Sequence, residues 1–271
     1  YGRYAGTSHG IGVAVLAGEG TGMERDYDQA SARHAGDLRG AEDIGRTAGE
    51  RAVRRLGAKK ISTTQVPVLF EAPVAASLLG HFVSAVSGGS LYRKSSFLLD
   101  SLGKQVFAPF VEIVEDPLIV KGESSSPFDE EGVATHRRAV VEGGVVRGYF
   151  LSSYSARKLG MQTTGNAGGN HNLIVAPGNL DLVGLLRHMG TGLLVTELMG
   201  QGLNMVTGDY SRGAAGYWVE NGEIVHPVEE ITIADLANSI GSTASARRLN
   251  SRCWRSCAEP RPNSEKIPGR D

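Results

Sequence analysis

The stretch Gly216 to Val228, GYWVENGEIVHPV, decides how the chain is read. Two β-rich runs flank Asn221-Gly222. That dipeptide accepts positive φ at both central positions of a two-residue turn, so the segment predicts an antiparallel hairpin. Upstream, His136 to Leu151 (HRRAVVEGGVVRGYFL) repeats the pattern around Gly143-Gly144. Glycine is abundant, 37 of 271 residues, and much of it lies in pairs within short loops, as expected of tight turns between short strands. VPVLFE (Val66 to Glu71) and FVEIVED (Phe110 to Asp116) read as further strands. GLLVTEL (Gly192 to Leu198) fits either a strand or a helix.

Helices are fewer. From Ala41 to Leu56, the residues Ile44, Ala48, Ala52 and Leu56 recur every fourth position and Gly57 follows, which predicts an amphipathic helix with a glycine C-cap. Its Arg51, Arg54 and Arg55 lie in the last turns, where the helix dipole favours cations. Pro73 suits the first turn of a second helix running to about Ser87, apolar nearly all round and therefore buried on several sides. Shorter helices are expected near Ser155–Leu159 and Leu180–Met189, and SLYRKSSFLLDSLGKQ reads as a short helix or loop. Met23 to Leu38 is a mixed, partly polar segment. The expected class is α+β: mainly antiparallel sheet, curled and barrel-like, with a few packed helices.

Charge is nearly balanced, 28 Lys+Arg against 29 Asp+Glu, which gives no support for a nucleic-acid footprint. No apolar stretch is long enough to span a bilayer and no signal peptide opens the chain, so neither nucleic acid nor membrane is expected as a partner and a cytoplasmic protein is the expectation. GxGxxG and phosphate-loop patterns are absent from the sequence. The two cysteines, Cys253 and Cys257, imply no disulfide framework and lack a second pair for zinc. The opening YGRYAGTSHGIGVAVLAG reads as the middle of a β region, so an upstream α/β domain is expected to be missing. After EEITIA (Glu229 to Ala234) apolar periodicity stops. Residues 235–271 are Ser/Arg/Pro-rich and are expected to be a disordered tail of aberrant, frameshifted origin, leaving 1–234 as the ordered domain.

Several longer motifs stand in one order along the chain: GMERDY, GGSLYRKSSFLLDSLGK, SPFDEEGV, SYSARKLGM, TGNAGG, MGTGLLVTELMGQG and TGDYSRGAAGYWVENGEIVHPVEEITIA. Together they resemble the TldD/PmbA family, and within it the PmbA (TldE) branch. The resemblance covers most of residues 1 to 234. In the TldD branch it implies a zinc motif His-Glu-x-x-x-His on a buried helix, with a cysteine from late in the chain. The corresponding residues here run from Ala76 to His81: Ala76 stands at the first ligand, Ser77 at the general base, and only His81 matches. One imidazole cannot hold catalytic zinc, and a serine hydroxyl cannot replace the carboxylate base at neutral pH. No cofactor is therefore expected in this chain, and zinc is expected in a TldD-like partner subunit.

What the resemblance implies is a non-catalytic subunit of a hetero-oligomeric metalloprotease acting on small unfolded or modified peptides, of microcin-precursor or antitoxin type. The alternative is a stand-alone peptide-binding or chaperone-like module. An independent hydrolase is the least favoured reading. For an extended peptide that adds as an extra strand, the residues themselves nominate Thr207 to Gly216, TGDYSRGAAG. There the glycines, Gly208 among them, permit close approach, Tyr210 offers an apolar contact, Asp209 and Arg212 fix polarity, and Ser211 is counted with them; a hairpin loop with a local Asp–Arg pair explains the stretch equally well. Gly165 and Asn166 of TGNAGG are a weaker peptide-binding candidate, for which a plain turn is favoured.

Overall fold

The computed structural model describes residues 2–236. In chain order the elements are β1 (His9–Ala17), β2 (Glu24–Ala32), α1 (Ala41–Arg55), β3 (Val68–Phe70), α2 (Ala72–Ala85) and α3 (Gly88–Tyr92). There follow β4 (Ile113–Glu115), β5 (Arg138–Glu142), β6 (Val145–Val146), α4 (Ser153–Leu159), β7 (Leu173–Val175), α5 (Leu182–Met189), β8 (Gly192–Met199), β9 (Asp209–Glu220) and β10 (Glu223–Leu236).

The α+β class stands, with antiparallel pairing dominant: a two-stranded ribbon β1-β2 and two four-stranded sheets, β10-β9-β8-β3 and β6-β5-β4-β7. The expected barrel-like sheet does not reach closure. Among the described residues no sheet closes, because β3 pairs only with β8 and β10 only with β9. Lys59 makes one bridge to Val228 at the outer edge of β10. The β3–β8 pair is parallel. Both expected hairpins form, and their turns take positive φ: 52° and 80° at Asn221 and Gly222, 56° and 76° at Gly143 and Gly144. Strand β10 continues to Leu236 opposite Asp209, past the expected boundary at Ala234. The rest of the expected tail lies outside the described residues.

Helix α1 buries Ile44, Ala48 and Ala52, the stripe its sequence carries. It packs on the β1-β2 ribbon, so the mixed segment after Met23 is in fact the second strand of that ribbon. Gly57 has φ +72°, the left-handed step that ends many helices. Arg51 and Arg55 do more than complement the helix dipole. Arg51 bonds Asp26 and Glu71, while Arg55 pairs with Glu24, Asp26 and Glu197.

Strand β8 is covered on both faces. Leu194 packs with Leu185, Leu186 and Met189 of α5, while Leu193 and Val195 pack with Ala75 of α2. Burial on both sides removes the polar/apolar alternation, which is why GLLVTEL fitted two templates. Helix α2 serves two cores. Ala75 joins Phe70 and Val195; Phe82, Ala85 and Val86 join Ile113, Val140 and Leu151 beside the other sheet. Each such aromatic or aliphatic side chain contributes about 1.5–3 kcal/mol by leaving water. The expected burial on several sides is only partly met: α2 faces both cores, but Pro73, Ala76, Gly80 and Ser84 form an exposed stripe of small residues.

Candidate functional site

The site is assembled from α2 and β9. Strand alternation sends Tyr210 and Arg212 to one face of β9 and Asp209 and Ser211 to the other. Tyr210 is 2% exposed, whereas Asp209 and Ser211 are solvent-facing. His81 lies one turn from the end of α2 and meets Tyr210 edge-on, with ring centroids 6.1 Å apart and an interplanar angle of 70°. Nε2 of His81, the hydroxyl of Tyr210 and Nε of Arg212 are buried, and none of the three makes a well-formed hydrogen bond among the described residues, although the Arg212 side chain acts on the Tyr210 hydroxyl. Nη2 of Arg212 reaches the carbonyl of Leu198 at 3.5 Å, a long bond. Among the described residues Arg212 forms no ion pair.

The electrostatics follow from that enclosure. Burial pushes the His81 imidazole below its ordinary pKa, and the Arg212 charge pushes it further the same way. Burial raises the Tyr210 hydroxyl, and Arg212 opposes that rise. At neutral pH the site therefore holds a neutral imidazole, a neutral phenol and one cation.

Close backbone approach fixes Arg212. A Cβ on Gly202 would stand 2.0 Å from Arg212 Cγ, and Ser211 donates its N–H to the Gly202 carbonyl at 2.7 Å. This corrects the expected loop. Gly208 closes a turn, but Asp209 to Arg212 are strand, paired with β10 in register and bridged by Leu203 to Tyr210 on the other side. A peptide cannot add as a strand where both edges are already bonded. The local Asp–Arg pair is absent too: Asp209 accepts from Thr207 Oγ1 at 2.5 Å instead. Alternation along the strand separates the two charges.

Gly165 and Asn166 lie elsewhere, against the β6-β5-β4-β7 sheet. Asn166 is 6% exposed. Its Nδ2 donates to Glu115 Oε1 at 2.8 Å and to the Gly169 carbonyl at 3.0 Å. Its Oδ1 accepts from Arg138 at 3.1 Å and from Thr164 at 2.7 Å. Both donors and the acceptor oxygen of its amide are engaged within the protein.

The residues at the expected zinc-motif positions do not fit the metal. Ala76 has no donor atom. Ser77 Oγ donates to the Val74 carbonyl at 2.7 Å, an ordinary helical back-bond. The Arg212 guanidinium acts on His81 and repels a cation there. The residues that the sequence left unlinked are His81 and the pair Tyr210 and Arg212; no local pattern joins them.

The comparisons bear on this geometry. Residues 63–252 match the PmbA/TldA metallopeptidase C-terminal domain, and residues 1–56 the central domain of the same family. The chain belongs to the PmbA/TldD metallopeptidase family. It is 52% identical over 231 residues to the metalloprotease PmbA of Escherichia coli O157:H7, across 85% of this chain and 51% of that protein. A Thermotoga maritima MSB8 crystal structure, of a protein described as a candidate modulator of a DNA gyrase, superposes with TM-score 0.79 at 36% identity, covering 86% of this chain and 55% of that one. TldE from Thermococcus kodakarensis shares the fold, with TM-score 0.76 at 21% identity over 87% of this chain and 56% of that one. The chain spans about half the length of the curated relatives it matches. No described helix is long and apolar enough to cross a membrane.

Proposed function

We propose that this chain is the PmbA/TldE-type subunit of a two-component metallopeptidase, contributing interface and peptide-binding surface while a TldD-type partner carries the zinc and the chemistry. One observation carries the reading. The only imidazole at the expected motif positions faces Arg212, a cation, where a catalytic zinc site needs a second imidazole and a carboxylate base. Ala76 and Ser77 supply neither. The substrate class, small unfolded or modified peptides, comes from the family resemblance.

The test is co-expression of the tagged 271-residue chain with a TldD-type protein bearing His-Glu-x-x-x-His. Co-elution on a sizing column is expected, with zinc retained when His81 is replaced by Ala and lost when the partner's motif is disrupted. Elution of the tagged chain alone refutes the partnership and favours the stand-alone peptide-binding module. Zinc that disappears with H81A overturns the non-catalytic assignment.

A further inference from the structure

Three buried polar atoms from two neighbouring elements, His81 Nε2, Tyr210 Oη and Arg212 Nε, lack a well-formed hydrogen bond among the described residues, although the Arg212 guanidinium acts on the Tyr210 hydroxyl. Leaving a buried donor or acceptor unmade costs about 1–3 kcal/mol each, and native proteins rarely leave several together without a ligand or ordered water. The donor set bears on which ligand would suit these groups. Arg212 brings a positive charge without a counter-ion among the described residues. Tyr210 brings a hydroxyl donor, and a neutral imidazole can donate from Nε2. This is a donor-rich, single-cation site, and it suits a planar monoanion.

We propose that His81, Tyr210 and Arg212 form a carboxylate-binding site that anchors a peptide by its acidic group. One oxygen takes the Arg212 Nε–H; the other lies within reach of the Tyr210 hydroxyl. A phosphate dianion matches less well, because one guanidinium leaves its second charge uncompensated. The proposal rests on the function above and deepens it. It also replaces strand addition at Asp209–Arg212 with end-on capture, since both edges of that stretch are bonded. Side-chain placement, rather than any titration of His81, carries the argument.

Calorimetry on the full chain uses three probes: acetyl-tetra-alanine with a free carboxylate, the same peptide as its amide, and an amidated version with one internal glutamate. The free acid is expected to bind at least about tenfold more tightly than the plain amide. The glutamate peptide tells whether the carboxylate comes from a chain terminus or a side chain; rescue by it assigns side-chain acids to the site, and no rescue assigns the C-terminus. R212Q is expected to abolish the preference and Y210F to weaken it about three- to tenfold. Equal binding of acid and plain amide overturns the proposal, as does a preference that survives R212Q. Should R212Q fail to fold, the imidazole nitrogen spectrum of the wild-type chain decides: addition of the free acid must shift Nε2 of His81 among the 7 histidines, and an unmoved His81 signal overturns the assignment. Failure here with a partner complex intact removes the carboxylate site alone. Carboxylate binding combined with failure of the co-elution test removes the subunit role and leaves the site standing.

Discussion

Arg51 in α1 grips Glu71, the residue capping α2, with both arms of its guanidinium: Nη1 to Oε1 at 2.9 Å and Nη2 to Oε2 at 3.0 Å. The same side chain donates Nε to Asp26 Oδ1 in β2 at 3.1 Å. One arginine thus joins the ribbon, α1 and the start of α2, and it links the two family-matched regions, 1–56 and 63–252.

Replacing Arg51 by Met keeps the stem's packing and removes the fork. Asp26 is 5% exposed and then keeps the Tyr27 N–H at 2.8 Å and, of its cations, only the longer contact to Arg55 at 3.7 Å. Breaking a fully buried pair costs about 3–5 kcal/mol. Glu71 is about a quarter exposed at 24%, so screening lowers the expected loss to about 1–3 kcal/mol. Urea denaturation of R51M and of E71Q measures it; a change within about 0.5 kcal/mol shows that the ribbon is not tied through this pair.

Asn166 makes a second test. Glu115, 1% exposed, accepts from Arg138 Nε at 2.8 Å, Asn166 Nδ2 at 2.8 Å and the His171 N–H at 2.7 Å. N166D replaces a donor with a carboxylate against a buried carboxylate. It is expected to lose about 2–4 kcal/mol, more than N166A at about 1–3 kcal/mol. Thermal melts of the two variants check the order, and N166D equal to wild type removes Asn166 from the network.

His81 predicts a pH dependence. Its folded pKa lies below the ordinary 6.5, so between the folded value and 6.5 the unfolded chain binds more protons. Stability contributed by neutral His81 is therefore full above about 6.5 and is lost as pH falls through the window below it. Glu24, whose folded pKa is raised by burial and then by neighbouring Glu229, contributes the opposite sign at lower pH. The difference between wild type and H81Q isolates the imidazole: H81Q is expected to lose less stability between pH 7 and 5. Parallel curves for the two proteins would sink this assignment.

Gly216 is a packing requirement. A Cβ there would stand 1.9 Å from the Leu194 carbonyl oxygen and 2.9 Å from its carbon. The obstacle is backbone in the middle of the sheet, paired to Val195 on one side and Val228 on the other. G216A is expected to cost at least about 2 kcal/mol and to reduce soluble yield, because overpacking here must separate β8 from β9. A melt within a few degrees of wild type contradicts it.

The sequence alone determined what local chemistry decides. The Asn221-Gly222 and Gly143-Gly144 turns follow from the need for positive φ. The Ile44-Ala48-Ala52 stripe follows from helical period, whereas the lack of a polar face on α2 overstated its burial, since Pro73, Ala76, Gly80 and Ser84 are exposed. Where burial erased periodicity, in Gly192 to Leu198, or where a ribbon carries polar residues on both faces, in Glu24 to Ala32, only strand pairing made the assignment. The site lay further out of reach. His81 stands on a helix and Tyr210 and Arg212 on a strand far along the chain; each was noticed for a separate reason, and only tertiary packing placed an imidazole, a phenol and a guanidinium beside one another. Propensity and turn chemistry act over a few residues and are written in order along the chain, whereas the convergence of polar groups depends on which faces two distant elements bury against each other.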